Sequence, residues 1–166
     1  MIIHHSLGKF DSHIGPNHKS LHYFNIEWYE ASKRILHKKL GNNQEVSVRF
    51  LQPDQRLEQD DILWEDECSI ILVNIRECEC MAVKPLSMFD TARLCYEIGN
   101  KHLPLFIDSG EVIVPFDAPL YRWLQGNDFF PAVAQRKLSG QLRTSVQPHG
   151  GSSLFSKIMK LTAANE

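Results

Sequence analysis

The order of secondary-structure signals between Cys80 and Lys137 constrains this chain more than any other feature of it. Cys80–Lys84 reads as a strand and Pro85 punctuates it. Ser87 follows as a helix N-cap, with Asp90 three residues on in the position of a capping box. Met88, Phe89, Ala92, Cys95, Tyr96 and Ile98 recur at three- and four-residue steps, the mark of an amphipathic helix over Ser87–Ile98. Leu103–Asp108, a Ser109-Gly110 turn and Glu111–Phe116 then read as a hairpin. Asp117 caps a second helix over Ala118–Leu124, stopped by Gly126-Asn127, and Phe130–Lys137 reads as a last strand. The order β-α-β-β-α-β is the ferredoxin-like split arrangement.

Upstream the pattern is different. Met1–Leu7, Ser20–Ile26, Lys33–Lys39, Val46–Leu51, Ile62–Glu65 and Ser69–Arg76 read as short strands between Gly8, Gly15-Pro16, Gly41-Asn42-Asn43 and Pro53-Asp54 turn signals. Closely spaced strands without helical periodicity predict a small β-sandwich or barrel. From Ser139 onward the chain is rich in Gly, Ser and Thr, which predicts a mobile tail. Its weak apolar segment Leu154–Leu161 suits a short helix formed on a partner. The expected fold class is therefore α+β: a β-rich N-terminal domain over residues 1–76, a ferredoxin-like domain over 77–142 and a flexible tail over 143–166.

A length of 166 residues allows one large domain or two small ones, and 43% hydrophobic content suffices for a core. The net charge of −2, with Lys and Arg interspersed, leaves no basic footprint for nucleic acid. No run of about 18 apolar residues marks a membrane span. The start, Met-Ile-Ile-His-His, lacks the layout of a signal peptide, so a cytoplasmic location is the expectation. The cysteines Cys68, Cys78, Cys80 and Cys95 have no paired CxxC zinc spacing. Cys78 and Cys80 share one face of a strand, which invites a metal reading; a buried, small apolar pair is the stronger one.

Two features bear on chemistry. His4, His5, His13, His18, His22 and His37 crowd the first 37 residues, and scattered surface imidazoles account for them. Ile98-Gly-Asn-Lys-His102 closes the first helix pattern. Taken alone, His102 reads as a polar residue in a helix's last turn, favoured there by the dipole when charged. Gly99 either ends the helix or lets two backbones approach, and Asn100 either stabilises the turn or orients His102. A hydrolase of the acylphosphatase kind on this fold would need a phosphate-cradling loop, and Lys84-Pro85-Leu86 is too short and lacks glycine.

Glu97-Ile-Gly-Asn-Lys-His102-Leu-Pro-Leu resembles the Glu-Ile-Gly-Asn-Arg-His segment of the UreE family, urease accessory proteins that act as nickel metallochaperones. Ile26-Glu27-Trp28 with Lys33-Arg34-Ile35-Leu36, Asp60-Asp61-Ile62-Leu63, Lys84-Pro85 and Glu111-Val-Ile-Val resemble it too, with Asp60 where the family usually has glycine. The likeness runs from roughly Phe24 to Gln125. It implies a non-enzymatic homodimer in which His102 of each copy meets its twin on the two-fold axis and binds Ni(II). It also implies delivery to the GTPase UreG and the urease apoprotein complex, with the N-terminal domain engaging those partners. Neutral imidazole accepts Zn(II) and Cu(II) as well. Ser145-Val-Gln-Pro-His149 resembles a Met-Pro-His tail segment that helps hold metal in some members, which makes His149 a second candidate ligand. The chain departs from the histidine-rich tails of many members, having His149 alone, and Pro115–Ala118 lacks the further histidines that some carry there. The alternative is a metal-independent protein-interaction module of the maturation complex.

Overall fold

The computed structural model describes residues 1–11, 18–52 and 55–142. The expected tail over 143–166 and His149 lie outside the described residues.

Strands β1 (Ile2–Ile3), β2 (Ser20–Ile26), β3 (Ile35–Lys39), β4 (Glu45–Arg49), β5 (Ile62–Glu65) and β6 (Ser69–Ile75) make two three-stranded sheets, ordered β1-β4-β3 and β2-β6-β5. Alternation dictates their inward faces. Val46 and Val48 of β4, Phe24 and Ile26 of β2, and Ile71, Val73 and Ile75 of β6 turn into one shared core with Leu36, Phe50, Leu57 and Leu63. This is the sandwich that the turn spacing predicts. β3 and β4 form a hairpin at the Gly41-Asn42-Asn43 turn signal, with Asn43 in the left-handed region at φ 66°. β1 with β4 and β2 with β6 run parallel and distant in sequence, pairings that spacing alone does not reveal. The first strand is two residues long, where the sequence suggested Met1–Leu7.

A short 3-10 turn, Trp28–Glu30, follows β2 without a sequence signal of its own. Its Glu30 is buried but ion-paired with Lys38 at 2.7 Å and Lys33 at 3.4 Å. Burial alone would raise the Glu30 carboxyl; the lysine hydrogen bond, the Glu27 N–H and both ammonium charges outweigh it and hold the group below its ordinary value.

Only Arg76 separates β6 from β7 (Glu77–Val83), so the chain passes almost straight from one sheet into the next. Helix α1 (Met88–Asn100), β8 (Phe106–Asp108), β9 (Glu111–Pro115), α2 (Ala118–Gly126) and β10 (Ala132–Lys137) complete the β-α-β-β-α-β series. The sheet order β10-β7-β9-β8 with antiparallel pairs throughout is ferredoxin-like. Ser109 and Gly110, at φ 50° and 78°, give the β8–β9 hairpin the two left-handed residues of a type I′ turn.

Both faces of this sheet are covered. Met81, Val83, Val112 and Val114 pack against Leu94 and Ile98 of α1 and Leu120 and Leu124 of α2. On the opposite face Cys80, Ala82, Phe106, Ile113 and Leu138 meet Trp28, whose ring stands edge-on to Phe106 at 5.8 Å. No helix among the described residues is long and apolar enough to cross a membrane.

Candidate metal centre

The site is built from the end of α1, and α1 begins as the sequence suggests. Ser87 caps it by accepting from the Asp90 N–H at 3.1 Å. The capping box is only half made: the Asp90 carboxylate, one methylene shorter than glutamate, takes the Ser87 hydroxyl proton at 2.6 Å instead of the cap's backbone N–H.

The helix's apolar residues do not form one face as the periodicity predicts. Leu94 and Ile98 are buried on the sheet, with Cys95 half-buried beside them. Met88, Phe89 and Tyr96 are 84%, 75% and 73% exposed, and Leu86 just before the helix is 92% exposed. Phe89, Ala92, Tyr96 and Gly99 follow one another at three- and four-residue steps, so a second apolar stripe looks outward. Being apolar on both sides is the sequence signal that distinguishes this helix from an ordinary surface one.

Gly99 sits on that stripe. It does not end the helix, which runs on through Asn100, and a Cβ placed on it would meet nothing within 4 Å. Glycine inside a helix costs roughly 0.5–1 kcal/mol relative to alanine, and nothing within the described chain requires it here.

Lys101 is the C-cap and pairs its ammonium with Glu97 at 3.1 Å. His102 follows with φ 55°, in the left-handed conformation usually given to glycine just past a helix. Its N–H donates to the Gly99 carbonyl at 3.0 Å, and the Leu103 N–H reaches back to the Ile98 carbonyl at 3.2 Å. His102 is exposed, while Leu103 packs on the core beside Ile98. The imidazole therefore stands at the outer end of the helix, at the foot of the apolar stripe.

The other candidates separate from it. Burial, then the neighbouring Cys80 and Glu27, push the Cys78 thiol up to about 11, and burial pushes Cys80 up as well. Both sit in the cluster under Trp28, where burial disfavours the thiolate form that ligates metal. His4 meets the Arg49 carbonyl at 3.0 Å, and His37 bonds the Ser47 hydroxyl at 2.7 Å. His18 lies in a turn and His22 on β2, so their spacing of four is not helical; His13 falls outside the described residues. Among the described residues no three His, Cys, Asp or Glu side chains converge as a metal cage. One copy of the described chain offers His102 singly.

Beyond β10 the chain crosses to the far edge of the sheet. Gln141 bridges to Phe106, and the Leu142 N–H donates to the Leu105 carbonyl at 2.8 Å. The root of the tail is thus fixed three residues from His102, a link the sequence did not disclose.

Residues 3–76 match the UreE urease accessory protein N-terminal domain, and residues 78–152 match the C-terminal domain of the same family. The chain belongs to the UreE family. The urease accessory protein UreE of Flavobacterium johnsoniae is 42% identical over 159 residues, 94% of each chain. Those of Actinobacillus pleuropneumoniae and Helicobacter pylori are 43% identical over 75% of this chain and 67% of theirs, and 32% identical over 90% and 89%. One departure from the UreE pattern has a physical account. Asp60, where the UreE family usually has glycine, holds φ 64°, a conformation open to glycine and tolerated by aspartate.

Proposed function

We propose that this chain is a nickel carrier, not an enzyme, that works as a homodimer and takes one Ni(II) between the paired His102 imidazoles. The observation that carries the reading is a conjunction on α1. An exposed apolar stripe runs to a glycine with open space around it and finishes at His102. Packing this stripe against its copy on a two-fold axis removes the exposed Phe89 and Tyr96 from water and uses the gap at Gly99 for close approach of the two backbones. The same axis supplies a second His102 as ligand. Two imidazoles completed by water bind more weakly than a closed four-ligand cage, which suits cargo that must be released. Zn(II) and Cu(II) fit the same donors, so raw affinity does not select nickel. Binding falls in acid, because a ligating imidazole must be deprotonated.

His149 is the further ligand in this reading. The seven residues from Leu142 to His149 span at most about 25 Å, and the anchor at Leu105 is close enough to His102 for that reach. The nickel passes to the urease maturation machinery in the cytoplasm, namely the GTPase UreG and the urease apoprotein complex. The sandwich over residues 1–76 serves as the partner-binding domain, and 77–142 carries dimerisation and metal.

Calorimetric titration with NiCl2 tests this. The wild type takes one nickel per two chains; His102→Ala loses that event, and truncation after Leu142 weakens it while the dimer survives. Unchanged stoichiometry and affinity in His102→Ala would overturn the site and favour a metal-independent interaction module. Unchanged affinity after truncation would remove His149 from the shell.

A further inference from the structure

Both helices over the ferredoxin-like sheet end on the same backbone device. After α2, Asp128 takes φ 60°, and the Phe129 N–H reaches back to the Leu124 carbonyl at 3.0 Å. After α1, His102 takes φ 55°, and the Leu103 N–H reaches back to Ile98. In each case a left-handed residue is followed by an apolar one that plugs into the core against the last turn: Phe129 beside Leu124, Leu103 beside Ile98. This is a Schellman closure with its hydrophobic contact.

At α1 the closure is held from the far side as well. Pro104 follows Leu103, and a proline ring disfavours helical backbone in the residue before it. Leu103 therefore resists continuing the helix. His102 is confined between its own bond to Gly99 on one side and a seated, non-helical Leu103 on the other. Continued helix would carry the imidazole round to a different azimuth; the left-handed turn projects it from the helix end.

Resting on the nickel reading above, we infer that Leu103, backed by Pro104, is a positioning residue of the metal site. Neither side chain carries a metal donor. Together they hold the His102 backbone in its left-handed state before metal arrives, so binding does not bear the cost of ordering it. Such a device matters most where the folded part of each copy supplies His102 alone and no ligand beside it on the same element corrects its aim.

The test uses the full chain, NiCl2 calorimetry, and the electron paramagnetic resonance spectrum of a Cu(II) probe. Leu103→Ala is expected to weaken nickel about tenfold (about 1.4 kcal/mol) and to broaden the copper spectrum, with the dimer retained. Leu103→Met, which refills the plug, restores both. Phe129→Ala, the matching truncation at α2, lowers thermal stability yet leaves nickel affinity and the copper spectrum at wild type. Wild-type affinity in Leu103→Ala, or an equal loss in Phe129→Ala, would overturn the inference. Should Leu103→Ala not fold, Pro104→Ala decides: a several-fold loss supports the inference and wild-type affinity overturns it. His102→Ala keeps the two claims apart. If it binds nickel normally, the nickel reading fails; if it loses nickel while Leu103→Ala does not, only the positioning role fails.

Discussion

Helices α1 and α2 lie on the same face of one sheet and close in the same way, yet only α2 is finished by its own chain. Asp117 caps α2 by accepting the Leu120 N–H at 2.7 Å. Trp123 stacks on Phe129 with centroids 5.8 Å apart, Arg93 covers both rings, and Tyr121 meets Phe116. What α2 shows to water is Ala118, Pro119, Arg122, Gln125 and Gly126. α1 buries Leu94 and Ile98 equally well but shows water Met88, Phe89 and Tyr96. The asymmetry extends to the helix ends, where the left-handed residue is an aspartate after α2 and an imidazole after α1. A helix that is capped, packed and closed, and still leaves large apolar side chains exposed, is complete as local structure and incomplete as a surface.

Charging the two helices is the strongest way to break this comparison. In the proposed dimer, Phe89→Glu with Tyr96→Glu removes about 1.5–3 kcal/mol of burial per side chain, enough to weaken association 100-fold or more and leave a folded monomer by light scattering. Arg122→Glu on α2 leaves the dimer as it was. A dimer that survives the α1 charges would mean that α1 is no more an interface than α2.

Gly99→Ala gives a smaller effect whose sign is informative. Alanine stabilises a helix interior by up to about 1 kcal/mol over glycine, and the described chain has room for the methyl group. Thermal unfolding of the monomeric Phe89→Glu/Tyr96→Glu background should therefore rise on adding Gly99→Ala. In the otherwise wild-type chain the same change should weaken the dimer several-fold. A gain in both would place the contact elsewhere.

Much of this architecture was legible in sequence because it is written in local signals. Ser87, Asp117, the Ser109-Gly110 turn, the period-two run of β4 and the continuous apolar run of β9 each specify their element within a few residues, and their order specifies the sheet. Besides the long-range pairings, three features escape the sequence for three different reasons. The Trp28–Glu30 turn opens on Glu27, which is not among the usual N-cap residues, and its purpose, joining the sandwich to the far side of the second sheet, is a tertiary contact. The outward and inward stripes of α1 are indistinguishable in sequence, since Met88, Phe89, Ala92, Cys95, Tyr96 and Ile98 satisfy helical spacing without saying which side meets the sheet, and the buried face centres on Leu94, outside that set. The left-handed backbone at His102 was hidden because the position carries no glycine. The pair Leu103-Pro104 was its available signal, as a residue before proline resists helix.

Crystals of the protein soaked in NiCl2 and measured at the nickel absorption edge test the central claim most directly. The account predicts one anomalous peak on the two-fold axis, within bonding distance of both His102 imidazoles. A peak bound to one chain away from His102, or a loaded dimer with nothing on its axis, would contradict it.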